Sequence, residues 1–588
     1  MGIMLTLFLL PIIASVFTLL LPFERVHYFI SASVLVILSA SAFLLYSSPE
    51  IVTFQLSHIM NLLVVVADII LLLYFLYQGI KFKSGNVILL SVVQLLLYGY
   101  VESIAPIAGS AEIVVDNLSK FMFLIINGVG GIIVLYAVRY MRDEAVSATK
   151  KSLFIAGLLL FISIMNLIVC ANSILLFFLL FEMTTLASYL LISFRNDPLS
   201  RANGLKALWM NQIGGVVILV AALVAIEGFG TVMFDTLLKS SGGMVLFTVA
   251  LLAMSALVKG ASLPFEGWLL GAMVAPTPVS AMLHSATMVK IAPYLILKLA
   301  PVLGATLLGN FFSVMGALVF VAASYLALSR FVFKEILGYS TVALLGLMMA
   351  LAAIGTKESM TLAMVLMVFH ALSKALLFLS AGVLEKQYHV KSIEEMKGLV
   401  HRAPKTVGFI LFGFVSLTLP PFGLFMGKLL AITSISSLLR ERPILLIVVL
   451  SLVIGSALLV LLYFKVASAI LSSPCDIHPS EKEYLPYGFS IPLWLLTLYS
   501  IAVSLGFILL QKNLFIAWLA LPLLVVILLP SMVTRMEQYD RIQPYHCGEK
   551  ELFDAALVYY EPSIRVRQMI YWSFGMLFVA VAFIGVLS

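Results

Sequence analysis

The chain is built from continuous apolar runs, each about as long as a bilayer is thick. The first lies near 3–22, from Met4 to Pro22. Others follow near 27–46, 57–80, 86–105, 119–138, 152–171, 173–194, 204–226 and 244–263. The series continues near 278–300, 307–328, 333–354, 360–384, 407–438, 443–465, 488–510, 513–531 and 569–587. A helix of about 20 apolar residues spans the hydrocarbon core, so the pattern predicts an all-α polytopic membrane protein of about 16–18 transmembrane helices. The apolar residues run on and do not alternate, which argues against a β-barrel. Composition agrees. Of 588 residues, 62% are hydrophobic and 11% charged, whereas soluble domains hold about 45–50% and about 25%. So few charges exclude a soluble enzyme, a disordered chain and a secreted disulfide scaffold. The three cysteines, Cys170, Cys475 and Cys547, lie far apart, with no spacing suited to zinc or an iron–sulfur cluster. No basic stretch precedes the first run and no small-residue cleavage site follows, so it is expected to be a retained helix.

The formal charge is +7. Basic residues gather in alternate loops: Arg25, Lys81 and Lys83, Arg139 to Lys151, Arg195 and Arg201, Arg330 and Lys334, Lys386 to Lys405, Lys465 and Lys482, and the 532–568 segment. The loops between hold Glu102, Glu112, Asp116, Glu227 and Asp235, with Arg440 and Arg442 as the main exception. The positive-inside rule then puts the basic loops in the cytoplasm and both termini outside.

Two runs are broken by proline, at Lys259-Gly-Ala-Ser-Leu-Pro264 and at Leu419-Pro420-Pro421-Phe422-Gly423. Broken backbone at membrane depth is tolerated only where protein or water lines it, and paired breaks mark ion or substrate sites in transporters. Charges inside spans cost at least roughly 2.5–3.5 kcal/mol and point to function. Here they are Glu182, Lys206, Lys259, His284, Lys290, His370, Lys374 and Lys428, with Asp68 in the third run. His370 and Lys374, four apart, share one helical face. A lysine taken out of water holds its proton less tightly, and a nearby carboxylate tightens the hold. Histidine passes protons near neutrality. One carboxylate among lysines and histidines is therefore the composition of a proton relay. Plainer readings stand beside it. Lys206 and Lys298 could snorkel to the headgroups. Glu182 could belong to a static ion pair, His284 could be a packing histidine, and Asp68 could be off-centre in its span.

The segment from Lys259 through Pro264, Trp268, Pro276, Pro278 and His284 to Val289 resembles a family signature. It is similar to the antiporter-like subunits of respiratory complex I, Mrp cation/proton antiporters and membrane-bound [NiFe] hydrogenases. Further matches fall in the same order: Asp116-Asn-Leu-Ser, Tyr136 to Met141, Phe181-Glu182 with Ser188-Tyr-Leu-Leu-Ile, Lys334-Glu-Ile-Leu-Gly-Tyr-Ser-Thr, His370-Ala-Leu-Ser-Lys374 and Pro420 to Lys428. The resemblance implies a fourteen-helix core with two inverted five-helix repeats and two broken helices. The expected units are N-terminal helices with two extra spans at 1–110, a third core helix and cytoplasmic loop at 111–150, repeats at 151–300 and 301–438, and C-terminal helices with an amphipathic segment (532–568) at 439–588. It also implies that Glu182 pairs with Lys259, that His284 is the central histidine, that His370 and Lys374 form the second-half relay, and that Lys428 is the terminal gate.

Two features depart from the family pattern. The runs at 57–80 and 86–105 look additional. The segment 532–568 is too short for the long lateral helix of the distal complex I subunit, since some 60 residues would be needed at about 1.5 Å each. In its place Tyr545-His-Cys-Gly-Glu549 and Tyr559-Tyr-Glu-Pro resemble the tail of the large antiporter-like subunit of Ech-type (group 4) hydrogenases. The expectation is therefore a proton- or sodium-translocating subunit of a redox-driven complex in a prokaryotic cell membrane, closest to a membrane-bound [NiFe] hydrogenase. No cofactor or metal is expected in this chain. [NiFe] and iron–sulfur clusters are expected in partner subunits, among other membrane subunits and a peripheral redox arm, and no nucleic acid partner is expected. The competing expectations are one member of an Mrp-type sodium/proton antiporter, one antiporter-like member of complex I, and a scaffold whose buried charges are silent.

Overall fold

A computed structural model describes residues 2–106, 111–420, 422–471, 483–511 and 564–587. The 513–531 run, almost all of 532–568, Pro421, Cys475, Cys547 and the Tyr545–Glu549 string lie outside the described residues. The chain is an all-α polytopic membrane protein, with 16 described helices long and apolar enough to cross a membrane.

In chain order the helices are α1 (Gly2–Leu20), α2 (Glu24–Ser47), α3 (His58–Lys81), α4 (Gly85–Ile104), α5 (Asn117–Arg142), α6 (Ala148–Ile168), α7 (Ile174–Ile192), α8 (Pro198–Phe229) and α9 (Gly243–Lys259). They continue as α10 (Thr277–Leu303), α11 (Leu307–Leu328), α12 (Phe333–Ile354), α13 (Lys357–Val383), α14 (Pro404–Thr418), α15 (Gly423–Leu438), α16 (Leu445–Leu471), α17 (Tyr487–Gln511) and α18 (Ile564–Leu587). The two strands described, β1 (Val52–Phe54) and β2 (Ile113–Val115), pair antiparallel with Val52 opposite Val115. They tie the chain entering the α3–α4 hairpin to the start of α5.

Helix starts are set by short polar side chains. Ser57, Asp116, Ser147, Asp197, Thr306 and Thr356 each accept a hydrogen bond from the backbone N–H three residues on, which satisfies a donor the helix leaves open. Pro198 takes the first helical position, where no N–H is needed. Burial grades the bundle. Almost every side chain of α12 is buried, and α13 is close behind. By contrast α3 and α4 present Leu62, Ile70, Leu89 and Leu96 outward. A hydrophobic outer face with polar groups turned inward is the arrangement that lipid requires.

The breaks position the site. The 17 residues of α9 reach about 25 Å, short of the hydrocarbon thickness of about 30 Å. Its last residue is Lys259. Beyond it Ala261 adopts the left-handed conformation with φ of 49°, and a short helix resumes at Gly267–Gly271. The second break separates α14 from α15 between Thr418 and Gly423. A Cβ at Gly423 would run into the Phe369 ring, so α15 starts at a glycine because α13 passes directly beneath. A third break lies inside α10, where a π-turn at Met282–Ala286 leads through Thr287 into a tighter turn at Met288–Lys290. Pro293 stands just beyond. It cannot donate to the carbonyl four residues back, and its ring crowds that turn.

Candidate functional site: a line of buried titratable side chains

Glu182 sits midway along α7, fully buried. Its Oε1 accepts a hydrogen bond from Gln94 Nε2 on α4 at 2.8 Å. That amide also donates to the Gln212 carbonyl at 3.1 Å, and Gln212 Nε2 donates back to Gln94 Oε1 at 3.2 Å and to Ser91 Oγ at 2.9 Å. Glu182 Oε2 has no hydrogen-bond partner from the protein. The contact is possible because α8 carries Gly215 there. A Cβ at that position would overlap both Glu182 Oε1 and Gln94 Nε2.

Lys259 is equally buried but does not close a direct ion pair with Glu182. Its Nζ donates to the Phe181 carbonyl at 2.9 Å and to Thr185 Oγ1 at 2.8 Å, and lies 3.8 Å from the centroid of the Phe181 ring. Residues 181, 182 and 185 share one turn of α7. The ammonium is thus held beside the carboxylate by a carbonyl, a hydroxyl and a ring face, each able to favour a cation. The two charges remain in electrostatic reach.

His284 lies in the π-turn of α10. Neither ring nitrogen has a protein hydrogen-bond partner, and the ring packs on Phe378 with centroids 4.7 Å apart. Six residues on, Lys290 Nζ is 2.8 Å from His370 Nδ1 on α13, with Met348 Sδ at 3.9 Å. One turn along α13, Lys374 donates to the Leu337 carbonyl at 3.0 Å and to Ser340 Oγ. His284, Lys290, His370 and Lys374 are all fully buried. Beside Lys374, Ser373 shares a 2.6 Å hydrogen bond with Ser416 on α14. Lys428 follows on α15, 3% exposed and with no protein partner for its Nζ. Lys259, Lys290 and Lys374 end on groups other than carboxylates and Lys428 has no protein partner, so none of the four is fixed in a salt bridge.

The other residues singled out from the sequence stand at the edges. Lys206 is half-buried and borders a cavity of about 620 Å³ at the basic-loop end, together with Glu266, Arg330, Lys334 and Tyr571. Pro264 and Pro420 are half-buried within the two breaks. Lys298 donates to the Ala171 carbonyl at 2.7 Å over the Phe234 ring. Asp68 is completely buried. Gln94, Thr185, Gln212 and Ser340 escaped the sequence reading because they carry no charge. At the basic end it also passed over Glu144, which bridges Arg195 at 3.1 Å and Lys386, and Glu385, which bonds Lys334 at 2.6 Å and Thr277 at 2.7 Å.

Two family descriptions match the chain. The family described as NADH:quinone oxidoreductase/Mrp antiporter, TM matches residues 171–456. The family described as NADH-ubiquinone oxidoreductase (complex I), chain 5 N-terminus matches 103–148. Together these stretches take up more than half of the chain. NADH-quinone oxidoreductase subunit L of Pseudomonas aeruginosa is 35% identical over 322 residues, covering 52% of this chain and 50% of that protein. One Na(+)/H(+) antiporter subunit of Alkalihalophilus pseudofirmus is 32% identical over 55% of this chain and 42% of that one. The chain thus spans about half the length of the curated relatives it matches. In fold, it is similar to a chain of the membrane-bound sulfane sulfur reductase, an archaeal respiratory membrane complex. There the TM-score is 0.68 at 18% identity, over 86% of this chain and 95% of that one. It is also similar to a chain of the Mrp complex from Dietzia sp. DQ12-45-1b, with a TM-score of 0.63 at 20% identity, over 100% and 56%.

Proposed function

We propose, from the premise that the chain belongs to the antiporter-like subunit family shared by complex I and Mrp antiporters, that it moves protons across the membrane along its buried line of titratable side chains. The observation that carries the reading is the 2.8 Å contact between Lys290 Nζ and His370 Nδ1. It joins α10 to α13 through two groups that can each hold a proton, far from any loop. The route runs from Glu182 and Lys259 by His284 to Lys290, His370 and Lys374, and on to Lys428. Lys206 stands at its basic-end mouth. Among the described residues no carboxylate closes a salt bridge to Lys290, Lys374 or Lys428, so a proton on one lysine raises the cost of a proton on the next. Loading Glu182 or moving its carboxylate shifts the hold on the Lys259 proton, and the change passes down the line. The alternating basic loops support a cytoplasmic position for that face, and hence outward termini.

The parent assembly is a separate question. Our reading is a redox-driven membrane complex of the membrane-bound [NiFe] hydrogenase kind, in a prokaryotic cell membrane, supported by the Tyr545-His-Cys-Gly-Glu549 string. Nickel–iron and iron–sulfur centres then belong to partner chains, as does the peripheral redox arm. An Mrp-type sodium/proton antiporter is favoured by the similarity to the Alkalihalophilus pseudofirmus antiporter protein, and a place in complex I by that to the Pseudomonas aeruginosa oxidoreductase protein.

Two measurements test this. In sealed vesicles carrying the whole complex, Glu182→Gln and Lys259→Ala should each cut ion movement by roughly a hundredfold. Unchanged movement in both would leave a scaffold with silent charges. Mass spectrometry of co-purified chains decides the assembly. Nickel–iron hydrogenase subunits support the first reading, and several antiporter chains without redox partners overturn it.

A further inference from the structure

We propose that the α3–α4 hairpin supplies a second proton route to Glu182, running from a cavity at the 102–116 end through Tyr98 and Asp68. In this route Gln94 is a positioning residue that keeps the Glu182 carboxyl turned towards the hairpin. The proposal rests on Glu182 carrying protons, as argued above. It adds an entry whose relay and positioning residues, Asp68, Gln94 and Tyr98, precede both family matches.

The hairpin has a polar inner face. Leu62, Ile70, Leu89 and Leu96 point outward and are 58–71% exposed, while Asp68, Ser91, Gln94 and Tyr98 are buried against α7 and α8. On α4, residues 91, 94, 98 and 102 follow at spacings of three and four, which stacks them along one side of the helix. Ser91 and Gln94 are hydrogen-bonded to Gln212, and Gln94 to Glu182. One turn further on, the Tyr98 hydroxyl faces the Asp68 carboxylate of α3 without closing a bond of normal geometry.

Asp68 is the anomaly. Both its carboxylate oxygens are buried and lack a hydrogen-bond partner. The charged groups within its electrostatic reach are Glu182 and Glu102, both carboxylates. A structural aspartate would have a basic partner, since a lone charge at this depth costs several kcal/mol. Among the described residues no cation offsets it. A carboxyl in that setting is suited to carrying a proton between two other carboxylates.

An opening lies at the next turn. Tyr98 and Glu102 line a cavity of about 340 Å³ with His58, Glu112 and Ser173. His58 is exposed, so the cavity meets the surface. Glu112 holds its shape by accepting from Leu56 N at 2.8 Å and from Asn61 Nδ2 at 3.2 Å. In the transfer the Asp68 O–H bond breaks, a Glu182 O–H bond forms, and Asp68 is reprotonated from the cavity side past Tyr98. The span from Tyr98 to Gln94 is about one helical turn, 5–6 Å, which one bridging water covers.

The test uses sealed vesicles of both orientations containing the whole complex, with ion movement as the readout. Asp68→Asn should slow movement by roughly tenfold, and Asp68→Glu should restore most of it. Tyr98→Phe should give a smaller loss. Wild-type rates in Asp68→Asn overturn the second route while Glu182→Gln still blocks, and then the main relay stands alone. If Glu182→Gln is also without effect, both readings fall. Should Asp68→Asn not assemble, Asp68→Leu combined with Glu102→Gln gives a second check, and infrared difference spectra of the wild type provide a third. A protonated-carboxyl band that changes on turnover and shifts in Asp68→Glu supports the route, and no change overturns it.

Discussion

Lys290 and His370 meet at 2.8 Å, nitrogen to nitrogen, between the unwound turn of α10 and the centre of the unbroken α13. No carboxylate takes part. Two basic groups this close in a buried site cannot both be charged without a large Coulomb cost. One of them is therefore neutral whenever the other holds the proton. On the proposed reading the pair shares one proton, and the irregular turn at Met288–Lys290 places the lysine beside the ring.

Removing either member should cost the same step. Lys290→Met and His370→Asn are each expected to slow ion movement by roughly a hundredfold. The double variant should be no slower than the worse single, because the second change breaks a link already broken. Transport in vesicles checks this. Multiplying losses would mean that the two residues act apart.

Thr185 is a test of how Lys259 is held. Its hydroxyl is one of two oxygen acceptors for the ammonium. Thr185→Val keeps the shape and removes the acceptor, leaving a buried donor short of a partner at about 1–3 kcal/mol. Ion movement should fall about tenfold, since about 1.4 kcal/mol is one decade in rate. Thr185→Ser should recover it. Equal rates in Val and Ser variants would show that the hydroxyl has no part in holding the lysine.

Much of this layout was legible in the sequence because the bilayer punishes error. Among the described residues, apolar runs of bilayer length produced helices at the expected places, and proline with glycine marked the breaks after Lys259 and before Gly423. The buried charges were visible as charges. Neutral partners were not, since Gln94, Thr185 and Ser340 look like ordinary helix residues until the fold brings them to a carboxylate or an ammonium. The third break was signalled only by Pro293, which has no N–H to donate to the carbonyl four residues back. The resemblance implied that Glu182 pairs with Lys259; here the two are in electrostatic reach while Thr185 and the Phe181 carbonyl take the ammonium's hydrogen bonds, because residues one turn apart on α7 reach it from the same side.

At the basic-loop end, Glu395 offers a pH readout outside the membrane. Its carboxylate accepts from the backbone N–H groups of Lys391 at 2.6 Å and Ser392 at 3.0 Å. These bonds favour the ionised form and hold the group below its ordinary range. A folded value below the unfolded one means that the stabilisation is present above the ordinary glutamate value of about 4.3 and is lost as pH falls through the lower folded value. Hydrogen-exchange protection of the Lys391 and Ser392 amides should therefore be high at neutral pH and decline in acid. In Glu395→Gln the decline should vanish. A pH-dependent loss that persists in this variant would assign it to another group.

Gly215 gives the sharpest steric test of the Glu182 site. An added methyl would occupy the place where Glu182 Oε1 and Gln94 Nε2 meet, although α8 itself accepts alanine readily. Gly215→Ala should leave helix content unchanged and lower ion movement by about tenfold or more, as the carboxylate or the amide is pushed aside. Gln94→Ala removes the amide without adding bulk. If the amide is what Gly215→Ala displaces, the double variant should be no worse than Gln94→Ala alone, a coupling that a double-mutant cycle measures directly. Additive losses would place the damage elsewhere, on the Glu182 carboxylate itself, which the same methyl meets. Full activity in Gly215→Ala would mean that the Glu182–Gln94 contact is dispensable for proton movement.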